Sequence, residues 1–300
     1  MRNEGPFILE WLAYHRLIGF DRVVVASNDC VDGSPALLDA LAGEGLLTHV
    51  PCAPPSAEEA QLFAYRAIEQ RLAADPPGWA MVLDADEFLN VHAGEGRVGD
   101  LIDAVGDATA VMVNWRVFGS AGHDRWSPAP VIERFTRAAP IGHGVNWSYK
   151  TLFRRWDAYH CPLMAHGPGF ARDECVAELR PVDGGGRPLD DRFARSRTFL
   201  QSAPGAVSWA LAQVNHYNTR SAQDYRAKHH RGGGIPVAWD RDAQWAVWNR
   251  VEEEDRTILR WLPAVRDAVA AMLAAPAVAA AYRATLRGYD AHVAALEAAA

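Results

Sequence analysis

Residues Trp79 to Asn90 read WAMVLDADEFLN. The apolar residues Ala80 to Leu83 lead straight into Asp84, Ala85, Asp86 and Glu87, after which Phe88 and Leu89 return to the interior. The carboxylates therefore stand where a buried strand surfaces. Three acids within four residues repel one another. A solvated turn with a helix N-cap would also carry such acids, but acidic turns seldom follow a fully apolar run and lead back into one. A hard divalent cation, held by carboxylate oxygens and by the phosphates of a ligand, would relieve the repulsion.

Before this stretch the chain alternates. Glu4 to Gly19 has helical spacing, Asp21 to Ser27 (DRVVVAS) is a β-branched strand, and Asn28, Asp29, Asp32 and Gly33 favour a turn. Ser34 to Leu41 reads as a helix capped by Ser34, Leu46 to Val50 as a strand, and Ser56 to Ala73 as a longer helix. This alternation predicts a mostly parallel, doubly wound α/β sheet, in which ligands bind beyond the carboxyl ends of the strands. Both acidic loops, Asn28–Asp32 and Asp84–Glu87, fall at such ends.

Composition narrows the class. Three hundred residues, 49% hydrophobic, suffice for one large domain or a domain with a small appendage. The formal net charge of -7 argues against a general nucleic-acid binder. Cys30, Cys52, Cys161 and Cys175 are widely spaced without a CxxC pair, so neither a zinc site nor a disulfide framework is indicated. No apolar run approaches the roughly eighteen residues of a membrane span, and MRNEGPF does not read as a signal peptide. The expectation is a soluble, cytoplasmic protein.

Several segments carry a resemblance: RNEGPFILEWLAYHRLIGFDRVVVASNDCVDGS, VLDADEFLN, NWRVFGSAGH, YKTLFRR and VNHYNTRSAQDYRAKHHRGG, together spanning about residues 2 to 234. In these the chain resembles the bacterial branch of the family 2-like glycosyltransferases, with a GT-A (Rossmann-like) fold and a D-x-D motif. The resemblance implies a GT-A domain over 1–235 and a helical C-terminal extension over 236–300. It places Asp84 near the donor ribose and metal, and Asp86 on a Mn²⁺ or Mg²⁺ ion that His216 of NHY completes, with His166 as the second choice. The donor-binding set it implies is Asn3, Glu4, Asn28, Asp29, Asp32, Asp84, Lys150 and Arg231. One departure is plain: the family has a hydrophobic first strand ahead of its Asn-Glu, and Met1 stands two residues ahead of Asn3. The sheet is expected to lack that strand.

Beyond the acidic stretch, Ala108 to Val117 reads as a strand and Phe118–Pro130 as a long loop over the site. Ala158 to His166 has strand character, and Arg180 to Phe193 reads as a surface loop or linker. Val207 to Val214 suggests a buried strand ending at His216, with a helix starting at Ser221. Arg226, Lys228, His229, His230 and Arg231 form the one basic cluster, suited to a leaving diphosphate or to a helix C-terminus. Trp239, Trp245, Trp248 and Trp261 read as packing, and the Ala-rich tail as a cover for the sheet or a surface for a homo-oligomer.

The expected activity is transfer of a sugar from a nucleotide-diphosphate sugar to an acceptor hydroxyl on a glycan or other molecule, with inversion. Asp84 and Asp86 would carry the chemistry, with Glu133 and Asp124 as candidate bases. A nucleotidyltransferase would use the same carboxylates and Mg²⁺ but should show a Gly-rich phosphate loop near its first strand. None is visible. A non-catalytic carbohydrate-binding relative has no need of Asp84 and Asp86 together.

Overall fold

The structure, a computed structural model, describes residues 1–195, 201–230 and 241–299. A 3₁₀ turn, Gly5–Phe7, runs into α1 (Ile8–Leu17). This helix buries seven of its residues, Ile8 to Leu9 and Trp11 to His15, because α9 covers it on one side and the sheet on another. It is a core helix where the spacing predicted a one-sided one. Next, β1 (Val24–Ser27), α2 (Ser34–Gly43) and β2 (Thr48–Pro51) form a βαβ unit whose strands pair in parallel. Then α3 (Ala60–Leu72) leads to β3 (Trp79–Met81) and β4 (Glu87–Val91).

The rest runs α4 (Val98–Val105), β5 (Ala110–Val117), α5 (Val131–Arg134), β6 (Arg137–Ala138), β7 (Tyr149–Arg154), β8 (Pro181–Asp183), α6 (Arg192–Arg195) and β9 (Ala212–His216). After these come α7 (Ala222–His230), α8 (Arg241–Trp248), β10 (Glu253–Glu254), α9 (Leu262–Leu273) and α10 (Pro276–Ala299).

The main sheet has the order β3-β7-β5-β9-β4, with β8 also beside β5. Its β3–β7, β7–β5 and β9–β4 pairs are antiparallel, and only β5–β8 and β5–β9 are parallel. The mostly parallel sheet expected of a GT-A fold is therefore not what forms: the sheet is mixed and curled. Parallel pairing needs a crossover, usually a helix. The early βαβ unit has one, whereas much of the later chain turns back through loops and short helices. The strands β3 and β4 are consecutive in sequence yet lie at opposite ends of the path. Residues 82–86 must bridge them, and Met81 to Glu87 can span at most about 20 Å. The acidic turn thus lies across the seam of the curled sheet.

The expected strand over Ala158–His166 is absent. Residues Tyr159 and Met164 make only isolated bridges, to Ala171 and Gly167, in a segment broken by Pro162 and by Gly167 at φ +142°. The segment read as a loose linker, Arg180–Phe193, instead holds buried β8 and a turn locked by Asp183, whose carboxylate accepts from the backbone of Gly185 and Arg187 and from Arg187 Nε. In β9 the strand starts at Ala212, later than expected, and ends at His216. The strands β1 and β3, which an unbroken doubly wound sheet would join, lie in separate sheets. Met1 adds to the ladder of β1: its amino group donates to Ala26 O, and its carbonyl accepts from Asn28 N at 3.3 Å.

The C-terminal helices cover the N-terminal elements, α9 on α1 and α10 on α2. The boundary expected at 235/236 lies outside the described residues. At Gly288 a Cβ would stand 2.5 Å from the carbonyl oxygen of Asp32, and at Gly5 it would stand 1.8 Å from Thr285 Cγ2. Glycine here is a close-approach requirement between α10 and the first acidic loop. Helix propensity alone predicts that Gly288→Ala stabilises by about 1 kcal/mol. We expect the opposite sign, a loss of about 1–3 kcal/mol from overpacking, read as a lowered midpoint in chemical denaturation. A raised midpoint would show that α10 is free to shift.

Candidate functional site

Helix α1 clamps the acidic turn from below. The Trp11 Nε1–H group donates to the carbonyls of both Asp84 and Glu87 at 3.0 Å, and Tyr14 Oη donates to Leu89 O at 2.8 Å. The Glu87 carboxylate folds back to accept from Asp84 N at 2.8 Å. Lys150 of β7 is 1% exposed at its side chain and pairs with Asp84 Oδ2 at 2.8 Å and Glu87 Oε2 at 3.0 Å. Its ammonium also donates to Ala165 O at 2.6 Å. Such an enclosed ammonium persists only because carboxylates and a carbonyl replace its water.

The register of β4 with β9 sets Glu87 opposite His216, which brings the end of β9 beside the turn. His216 Nε2 lies 3.6 Å from Asp86 Oδ2, and Lys228 of α7 donates to that same oxygen and to Asn218 Oδ1. Arg220, at φ +46°, joins the three motifs read from sequence. Its Nη1 donates to Glu4 Oε2 and its Nη2 to Ala85 O, both at 2.9 Å, while the guanidinium sits 3.5 Å from the Phe7 ring centre. A small pocket of about 10 Å³, room for roughly one water molecule and partly open to solvent, lies between Glu4, Phe7, Arg220, Lys228 and Tyr289. Trp115 of β5 packs against the two histidines, its ring centre 4.4 Å from that of His216 and 5.5 Å from that of His166.

The charges sort themselves. Desolvation pushes Asp84 up, but Lys150 more than reverses this and holds it below the usual carboxylate range. Burial acts the same way on Asp86, where Lys228, His216 and Arg220 together hold the carboxyl well below its ordinary value. At Glu87 burial wins over Lys150 and the carboxyl is raised. Burial, with Lys150 nearby, lowers His166 to about 4, so its imidazole is neutral.

Of the residues singled out from sequence, Asp84, Asp86, Lys150, His216 and Glu4 are brought together. Asp84 is half exposed, its side chain 52% accessible. Asn3 accepts from Val31 N through Oδ1, tying the first loop to the N-terminus, and Asp29 is exposed at φ +47° beside Asn28. Asp32 is buried and spent on the fold, accepting from Gly5 N, Ser34 N and Ser34 Oγ. His166 lies against Trp115 with its Nδ1 2.9 Å from Tyr149 O. Glu133 is engaged by Arg266 of α9, and Asp124 is exposed in the Phe118–Pro130 loop. Arg231 and Trp239 lie outside the described residues.

Sequence reading missed Arg220, Asn218 and the structural duty of Glu87. Only the position of Arg220 four residues after His216 hinted at it. A second polar chain, Ser27 Oγ to His49 Nε2 at 2.8 Å and His49 Nδ1 to Asp39 at 2.7 Å, has the order of a nucleophilic triad. Ser27 is 3% exposed, so the chain serves to tie β1, β2 and α2 together.

A divalent metal is not accommodated as the side chains stand. Among the described residues no three His, Cys, Asp or Glu side chains converge on one point. Asp84 is taken by Lys150, and the oxygen of Asp86 nearest His216 is taken by Lys228.

No family model matches the chain. Over 128 residues, 41% of its length, it is 28% identical to a glycosyltransferase family 92 protein of Ricinus communis, and the match covers 22% of that protein. The chain is thus distantly similar to a glycosyltransferase. Among the described residues no single helix is long and apolar enough to cross a membrane.

Two expectations follow from the charges. Lys150→Met leaves Glu87 buried without its cation and should cost about 3–5 kcal/mol. Without Lys150 the folded carboxyls prefer their protonated forms, so the loss should be smaller at pH 5 than at pH 8 in urea unfolding; an equal loss would refute the role given to Lys150. Separately, Glu10 of α1 accepts from Val131 N and Ile132 N at the start of α5, and burial raises it from 4.5 to about 7. A raised carboxyl stabilises the fold below pH 4.5, and that contribution is lost as pH rises through about 7. Glu10→Gln should flatten the pH dependence of the melting temperature over that window, and an unchanged slope would remove Glu10 as its source.

Proposed function

We propose that the chain is a glycosyltransferase of the family 2-like, GT-A-related kind, which moves a sugar from a nucleoside-diphosphate sugar to an acceptor hydroxyl. The observation that supports it most is the meeting of the N-terminal Asn3–Phe7 segment, the Asp84–Glu87 turn and the His216–Arg220 segment at one partly open point, joined by Arg220. The distant likeness to a glycosyltransferase agrees with it.

The chemistry asked of such a site is modest. A diphosphate is a good leaving group once its developing charge is neutralised, and preorganised cations are the usual means. Lys228 and Arg220 stand together at the pocket and supply that charge from the protein itself. The first loop, Asn28–Asp32, takes the nucleoside side. Direct displacement at the anomeric carbon inverts its configuration and needs one base for the acceptor proton; Asp84, held ionised and half exposed, is better placed than Glu133, which Arg266 engages. The loop Phe118–Pro130 excludes water and meets the acceptor. Mn²⁺ or Mg²⁺ belongs to this reading only with a change at Lys228.

With its correct donor the protein should slowly hydrolyse a sugar nucleotide to sugar and nucleoside diphosphate, and an acceptor should speed nucleotide release. Phosphorus NMR across UDP-, GDP-, dTDP- and CMP-sugars, with and without Mn²⁺, reads this directly. Consumption of pyrophosphate with formation of nucleoside triphosphate, and no nucleoside diphosphate from any donor, would identify a nucleotidyltransferase instead.

A further inference from the structure

Glu10 stands where the Phe118–Pro130 loop returns to the core. It lies on α1 and accepts from Val131 N at 2.7 Å and Ile132 N at 3.0 Å, the first two amides of α5, directly after the loop. Val131 and Ile132 are buried, so this pair of bonds pins the foot of the loop to α1. Above that foot Arg134 of α5 donates to the loop carbonyls of Arg125 at 2.7 Å and Ser127 at 3.5 Å, and its own carbonyl lies 3.2 Å from His123 Nε2. The loop carbonyls of His123 and Asp124 accept in turn from Ala222 N and Gln223 N in the first turn of α7. One carboxyl group thus secures α5, the loop that α5 grips and the start of the helix that carries Lys228.

Among the described residues no cation pairs with Glu10. The two guanidiniums whose charge reaches it are committed elsewhere, Arg134 to the loop carbonyls and Arg220 to Glu4 and Ala85 O. The remaining titratable groups around it bring no positive charge. Tyr217 at the end of β9 and Tyr282 of α10 both feel its field, and Asp224 of α7 and Tyr289 of α10 lie beyond Arg134. On α5 itself Glu133 is engaged by Arg266 of α9. A carboxyl in these surroundings is tolerated when neutral and costly when ionised, unless water is let in. Burial accordingly raises it from 4.5 to about 7. The seat that can give way is α5, a helix of four residues at the end of a long loop.

We propose that Glu10 is a proton-operated latch on the Phe118–Pro130 loop: neutral, it keeps α5 seated on α1 and the loop closed; ionised, it draws in water, α5 lifts and the loop opens. The direction follows from linkage. A carboxyl raised in the closed state favours closure fully below pH 4.5 and loses that effect as pH rises through about 7. Only the consequence for sugar transfer, a site that admits water above neutral pH, rests on the glycosyltransferase reading.

Amide hydrogen exchange of the full chain, read by mass spectrometry, follows the opening without donor or acceptor. After division by the intrinsic exchange rate at each pH, opening of residues 118–134 should rise about tenfold from pH 6 to pH 8, the ratio given by a carboxyl at 4.5 when open and about 7 when closed. The β4–β9 strand pair should show no such rise. Glu10→Gln, neutral at every pH and shown to be folded by its melting curve, should lose the rise, whereas Glu133→Gln on the same short helix should keep it. The inference is overturned if the loop of the unaltered chain opens equally at both pH values, if β4–β9 rises as much, or if Glu10→Gln keeps the rise, which would point to His123 of the loop itself. Should Glu10→Gln fail to fold, His123→Asn in an otherwise unaltered chain decides between the two groups: the rise persists if Glu10 is the latch and vanishes if it is not. A chain whose loop opens with pH yet turns over no sugar nucleotide keeps the latch and loses the proposed function.

Discussion

The seam of the curled sheet is held by charge compensation. Three carboxylates on adjacent turns of backbone would drive Met81–Glu87 apart in an apolar surround, and the fold answers with cations drawn from separate elements. Lys150 comes from β7, two strands along the sheet from β9, and binds Asp84 and Glu87 together. Lys228 comes from α7 and Arg220 from the loop before it, on the Asp86 side. Each cation is positioned by tertiary structure, so the turn is stable only when β7, β9 and α7 are all in place. That dependence explains why the N-terminal segment, the sheet and the late helices meet here: Arg220 needs Glu4, and Asp224 of α7 accepts from Tyr289 of α10.

Much of this was legible in the sequence, and the reasons are specific. The apolar run into Asp84 predicts a strand end, and Trp79–Met81 is one. The DRVVVAS run, the helix after it and the helix starting at Ser221 also form, the second with Gly33 at its N-cap and Ser34, the expected cap, in its first turn bonded to Asp32, the last with Ser221 and Asp224 bonded reciprocally at its start. What failed was pairing. Alternating strands and helices say nothing about which strand a later segment joins, and β3 pairs with β7, seventy residues on, in the sense opposite to a doubly wound sheet. Composition also misled at Arg180–Phe193, where glycines and prolines shape a tight, buried corner instead of a linker.

The site shows the same limit. Acidic residues announce themselves by their number, whereas their partners are single cations at large sequence separation: Lys150 within an ordinary strand, Arg220 within a polar turn. Without the register that sets Glu87 opposite His216, nothing marks Lys150 as buried or Arg220 as a hub. Asp32 errs in the other direction. It looks like a ligand-facing acid in a loop, but its neighbour Ser34, with Gly5 across the fold, supplies donors that consume both its oxygens.

The three acids of one turn therefore have different tasks, and burial with partner exposure decides which. Glu87 is fully enclosed, bonded to backbone and to a fixed ammonium, and raised by burial, so it is part of the frame. Asp84 shares that ammonium but opens to solvent, which leaves an ionised carboxylate at the surface. Asp86 is buried, yet its ammonium sits on a helix side chain that is itself partly exposed. The pull that Lys228, His216 and Arg220 exert on Asp86 keeps it ionised despite its burial. Repulsion within the turn is thus met in two ways, by the enclosed ammonium of Lys150 and by the partly exposed one of Lys228.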